Sequence, residues 1–209
     1  MKNALALALL LLWAVSAHLA SAGVGPIALH MAVAVVPLWF AALLLALQTP
    51  WPWAAGGLLT GACALALMLA WPWLSGHIVW LYYLQHLGAH LALAAWFARS
   101  LRAGREPVVS AMARMISVHP LSERKRRYTR GVTLAWALFL AGNALVSTLL
   151  FAWAPVEVWS IHANLLTGPL IAAFFGLEML VRRWVLPPEE RPSIKDVIHA
   201  WQAQRGQSL

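Results

Sequence analysis

Polar and ionisable residues set within long apolar runs are the ones that could do chemistry here, because an unpaired charge or donor is costly in hydrocarbon. His86 and His90 stand one helical turn apart, with Tyr82 a turn before them on the same face. Two imidazoles at i,i+4 can share a metal ion, but no glutamate stands beside them as in a zinc-protease helix. Nor can they hold one haem from opposite faces. A haem needs histidines at equal depth on facing helices, which His30 with His162, or His18 with His77, could supply. The commoner use of such residues is a neutral imidazole hydrogen-bonded between helices. The sequence assigns no metal ligand set, no haem and no other cofactor.

Glu178 is the acid placed inside an apolar run, with Arg182 one turn later, so an i,i+4 ion pair is available. A structural pair is the expectation, ahead of a proton-handling carboxylate. Asn143 and Ser147 share one helix face, and Asn164, Thr167 and Gly168 share another beside Pro169. Pro169 leaves the Leu165 carbonyl without its helical donor. Asn143, Asn164 and His162 could line a polar path between helices, although close helix packing is the expected use of small and polar residues. Cys63 has no histidine near it in sequence, and one cysteine makes no intrachain disulfide.

These residues are positioned by six apolar stretches: 4–22, 27–47, 54–73, 76–98, 131–153 and 156–184. Each is close to the roughly 20 residues that cross a hydrocarbon core. The runs are continuously apolar rather than alternating, which excludes a β-barrel and leaves an all-α, polytopic membrane bundle. Composition agrees, with 62% hydrophobic and 11% charged residues against about 25% charged in an average soluble domain. Very short connections such as Gly23-Val24-Gly25-Pro26 make neighbouring spans antiparallel. Thirteen tryptophans include Trp51, Trp53, Trp71, Trp73, Trp153 and Trp159 at the ends of these runs, where interfacial anchoring is expected.

The chain divides into spans one to four (1–98), a basic loop (99–130), spans five and six (131–185) and a tail (186–209). All 15 lysines and arginines fall before span one, between spans four and five, or at the end of span six and after it. The positive-inside rule then places both termini and the long loop in the cytoplasm. An alternative reads Lys2, the first apolar run and Ala20-Ser21-Ala22 as a cleaved secretory signal, leaving five spans.

In the loop, Val108, Met112, Met115 and Ile116 recur at helical spacing opposite Ser110, Arg114 and Ser117, as in a short interfacial helix with Pro107 at its first turn. Arg105 and the run Arg124, Lys125, Arg126, Arg127 and Arg130 are candidate contacts for anionic phospholipid headgroups or a protein partner. A topological anchor explains the same run, and the loop is too short for a nucleic-acid surface. In the tail, Ser193 begins a second amphipathic pattern, with Ile194, Val197, Ile198 and Trp201 on one stripe.

From residue 81 to 187 several motifs are distinctive: Ala95-Trp96-Phe97-Ala98-Arg99-Ser100-Leu101, Gly104-Arg105-Glu106-Pro107, Tyr128-Thr129-Arg130, Val132-Thr133-Leu134-Ala135-Trp136, Ala154-Pro155-Val156-Glu157-Val158-Trp159-Ser160 and Glu178-Met179-Leu180-Val181-Arg182-Arg183. This wording resembles a family of uncharacterised bacterial inner-membrane proteins found in gene clusters for aryl polyene, xanthomonadin-type and other fatty-acyl products. Some members carry a ketosynthase label. A condensing enzyme needs an activated cysteine and two further donors in a large α/β scaffold, which a helical bundle with an isolated Cys63 does not supply.

The resemblance thus implies a membrane accessory to acyl-chain assembly. Three functions are carried forward. The leading one is a non-catalytic inner-membrane scaffold that engages cytoplasmic acyl-chain enzymes. The second is a carrier or flippase for a lipid or lipid-linked product. The third is a histidine-based haem or metal redox protein.

Overall fold

A computed structural model describes residues 14–20, 23–117 and 120–191. Most of the first apolar run, the signal-peptide alternative with its Lys2, and the amphipathic tail after Ser193 lie outside the described residues. Among those described there is helix and no strand. Residues 14–20 are helical (α1). Then follow α2 (Ile27–Ala46), α3 (Pro52–Leu74), α4 (Ile78–Ser100), α5 (Val108–Ile116), α6 (Glu123–Trp153), α7 (Val156–Ser160), a π-helical segment (Ile161–Leu166), α8 (Thr167–Val185) and a 3₁₀ turn (Pro188–Glu190).

Among the described residues, three helical stretches are long and apolar enough to cross a membrane: Pro52–Leu74, Glu123–Trp153 and Val156–Val185. Leu58, Leu69, Trp53 and Trp184 are among the many large apolar side chains left widely exposed, as suits a surface solvated by lipid rather than water. Helix α4 has a span's length, but Gln85, His86 and His90 dilute its apolar character.

The breaks between helices follow local chemistry. Gly23 and Gly25 adopt positive φ, which only glycine does freely. A Cβ on Gly25 would lie 3.2 Å from His30 Nε2. Proline opens α3 at Pro52 and precedes α5 and α7 at Pro107 and Pro155. The basic run expected within the loop is instead the first two turns of α6. Ser122 caps it by accepting the Lys125 amide at 3.0 Å, and Glu123 sits in the first turn. The π-helical segment ends where Pro169 removes the donor for Leu165. Thr167 bonds back through its amide to His162 O, five residues away rather than four.

By packing, the chain forms two compact units. The first comprises 1–87 with 147–167, and the second 88–146 with 168–209. Ala17, Met31, Tyr82, Tyr83 and Trp159 centre the first core, where the rings of Tyr83 and Phe151 stack 4.1 Å apart. Trp159 is fully buried, and its indole N–H donates to Ser147 Oγ at 3.0 Å. It is therefore a core residue rather than the interfacial anchor its place in the sequence suggested. Ala94, Trp136 and Leu140 centre the second core, ringed by Phe97, Phe139 and Phe174.

Candidate functional site

In the first unit the histidines are drawn into hydrogen bonds. The Thr167 hydroxyl donates to His162 O at 2.9 Å, so it accepts from His86 Nε2–H at 3.1 Å. That places a proton on His86 Nε2. The His86 and His162 rings meet edge to face, 6.0 Å between centroids. His18 Nδ1 lies 2.9 Å from Ser160 Oγ, which also accepts the Asn164 amide at 3.0 Å. His30 Nε2 bonds to Val24 O, while its own carbonyl accepts the Tyr82 hydroxyl at 2.7 Å. His77 stacks flat on Trp73 and bonds to Trp73 O. Of the histidines weighed as haem pairs, His30 contacts Val24, His162 meets His86, His18 contacts Ser160 and His77 contacts Trp73. No group of three or more His, Cys, Asp or Glu that could hold a metal occurs among the described residues.

His90 and Asn143 are buried in the second unit, where the Asn143 side-chain oxygen has no hydrogen-bond partner among the described residues. The second unit also places Glu178 as a nearly buried carboxylate, 8% exposed, gripped by Arg182 through Nε and Nη2. The Tyr128 hydroxyl donates to the same carboxylate at 2.9 Å. The expected i,i+4 pair forms, and Tyr128, fifty residues away in sequence, completes it.

This cluster lies at one side of an apolar cavity of about 340 Å³, within the range of small-molecule pockets, roughly 300–1,000 Å³. Phe97, Met112, Ile116, Trp136, Leu140 and Phe175 form much of its wall. Its polar margin is Lys125, Tyr128, Glu178 and Arg182, with Lys125 Nζ donating to Ser117 Oγ at 2.9 Å. Asn143, Asn164 and His162, expected around a polar path, do not line it.

One wall of the cavity is α5, held by hydroxyl groups that sequence reasoning missed. Pro107 offers no side-chain cap. The first amides of α5 instead find acceptors on other helices: Val108 N–H bonds to Ser100 Oγ at 3.1 Å, and Val109 N–H to Thr133 Oγ1 at 3.2 Å. Thr129 commits its proton to Lys125 O, so Ser110 donates to Thr129 Oγ1 at 2.7 Å. Ser110 is therefore buried, whereas Met112 and Met115, on the stripe expected to meet the membrane interface, are about half exposed. The Thr129 and Thr133 spacing of one turn was the available signal.

The candidate headgroup contacts separate. Arg105, Arg126, Arg127 and Arg130 line an open basin together with Arg114, Lys125 faces the apolar cavity, and exposed Arg124 lines neither. Arg114 is locked to Glu106 by two hydrogen bonds of 2.9 Å. Its hydrogen bond and charge, with the charge of Arg126, hold the Glu106 carboxyl below its usual range.

No protein-family model matches this chain, and no curated protein or solved structure matches it.

Proposed function

We propose that this chain is a six-span protein of a bacterial inner membrane, with both termini cytoplasmic, that holds an acyl chain as a non-catalytic accessory to acyl-chain or polyene assembly. The observation that carries this reading is the apolar cavity of the second unit. Its wall is mainly aliphatic and aromatic, and its polar lining is Lys125, Tyr128, Thr129 and the Glu178–Arg182 pair, which leaves Lys125 as the uncompensated positive charge. That division suits an amphiphile with a long apolar body and an acidic end. Helix α5 would expose Met112 and Met115 to lipid, and the basic residues around it would meet anionic phospholipids or the acyl-chain enzymes that the loop engages.

Bromine on an acyl chain quenches nearby tryptophan fluorescence, and Trp136 stands in the cavity wall. Titrating the full chain in detergent with a bromo fatty acid should give saturable quenching that Trp136→Phe largely removes. Quenching without saturation, or unchanged in Trp136→Phe, would sink the reading.

A further inference from the structure

Ser110 and Arg114 of α5 face a different concavity of the second unit, an open basin of about 710 Å³. Arg105, Arg114, Arg126, Arg127 and Arg130 line it, with Glu106 and Glu123 as its acids. Five guanidiniums against two carboxylates leave a net charge of three.

A solvated topological anchor would need only the charges. Here two of the guanidiniums, Arg114 and Arg130, are also held by hydrogen bonds. Arg114 is fixed by both oxygens of Glu106. Arg130 donates from Nη2 to Leu101 O at 2.8 Å, across 29 residues of sequence. Arg127 and Glu123, 3.9 Å apart, form a widely exposed pair that leaves Arg127 solvated. Gly104, at φ +78°, makes the tight turn just before Arg105. Arg105 and Arg126 form no ion pair among the described residues. The result is a concave cluster of five guanidiniums in which Arg105 and Arg126 make no close ion pair, Arg126 acting on Glu106 only through its charge.

We propose that this basin binds a phosphate monoester or a diphosphate group. The guanidinium fork matches phosphate oxygens in pairs, which an ammonium does not. A phosphate monoester carries about −1.5 to −2 charge at neutral pH and a diphosphate more, close to the basin's excess, whereas a phosphodiester headgroup carries one charge and leaves most of the excess uncompensated. Glu106 acts here as a positioning residue that holds Arg114 at the rim. The ligand chemistry has two possible sources, a soluble phosphorylated molecule or a lipid with a phosphomonoester or diphosphate head, and the proposal does not depend on the acyl-chain reading.

The test uses the full chain in phosphatidylcholine nanodiscs. One arm titrates inorganic pyrophosphate by calorimetry, and the other measures enrichment of phosphatidate over phosphatidylglycerol around the protein. Arg105→Gln and Arg126→Gln are compared with Arg124→Gln, which removes the same charge from the same basic segment but outside the basin. Loss of a charge-assisted contact should weaken binding about tenfold or more, with Arg124→Gln near the parent. Saturable pyrophosphate binding with that pattern identifies a soluble source. Phosphatidate enrichment with that pattern, and no pyrophosphate binding, identifies a lipid source. Equal weakening by all three substitutions, or no binding of either probe, overturns the proposal. Bromo fatty acid quenching retained in Arg126→Gln would show that the two sites fail separately.

Discussion

The first unit turns its polar side chains on one another, and the second arranges them around open space. His18, Ser160 and Asn164 share hydrogen bonds, as do His86, Thr167 and His162, within a core that buries Trp159 completely. In the second unit, Glu178, Arg182 and Tyr128 close on themselves at the margin of a cavity, and five arginines ring a basin. Polar groups that satisfy each other in a packed interior favour one arrangement of the chain. Unfilled apolar volume is a site of weak packing that a ligand can complete. Substitutions in the first unit should therefore act on stability, and those in the cavity wall and basin of the second chiefly on binding, the Glu178–Arg182 pair excepted.

The largest effect expected is at Trp159. Trp159→Ala removes a fully buried indole and leaves Ser147 without its donor, at a cost of about 3–5 kcal/mol. Thermal unfolding in detergent should show it, while bromo fatty acid quenching below the transition persists. Quenching lost together with stability would break the contrast between the units. Next comes Glu178→Gln, which leaves the Arg182 guanidinium without its carboxylate. A fully buried pair would lose roughly 3–5 kcal/mol; about 2–3 is expected because Arg182 is 33% exposed. If Glu178→Gln unfolds normally yet abolishes activity in cells, the carboxylate handles protons instead.

Ala113→Phe probes the cavity from the opposite direction, by filling it. Acyl-chain affinity should fall about tenfold, equivalent to about 1.4 kcal/mol, with the unfolding temperature unchanged or raised. A variant that binds normally would place the chain elsewhere. The smallest effect is at exposed Glu106. Its carboxyl titrates lower folded than unfolded, so its contribution is full above the ordinary carboxylate range and fades as pH falls through the depressed value. Amide exchange over residues 105–116 should quicken at that lower pH in the parent, and at neutral pH in Glu106→Gln.

Much of the helical framework was legible because apolar runs and prolines report on local backbone. The boundaries of α2, α3 and α4 fall within a few residues of the apolar stretches, and Pro169 marked the place where the helix widens. The Glu178–Arg182 pair was legible for the same reason, since i,i+4 neighbours are set by the helix itself. Tyr128 on that carboxylate, Thr133 on the Val109 amide and Arg130 on Leu101 O were not. Their partners come from other helices or a loop, and no single-helix period encodes them. The histidines show both sides: His30, His90 and His162 are buried while His77 is exposed, and His86 met His162 and Thr167 through the π-helical segment rather than by depth alone.

The pairing of Glu178 with Arg182 also bears on how the last long helix could enter a bilayer. Alone, either ion would add up to about 3 kcal/mol to insertion at mid-membrane, and less near an interface. Because the two lie one turn apart on one helix, they can neutralise each other as soon as that turn forms, before any neighbouring helix is in place. Tyr128 comes from another helix, so its bond can form only when the two helices meet. The helix thus carries its own counter-ion through the hydrophobic step, and the tyrosine serves as a latch for assembly afterwards.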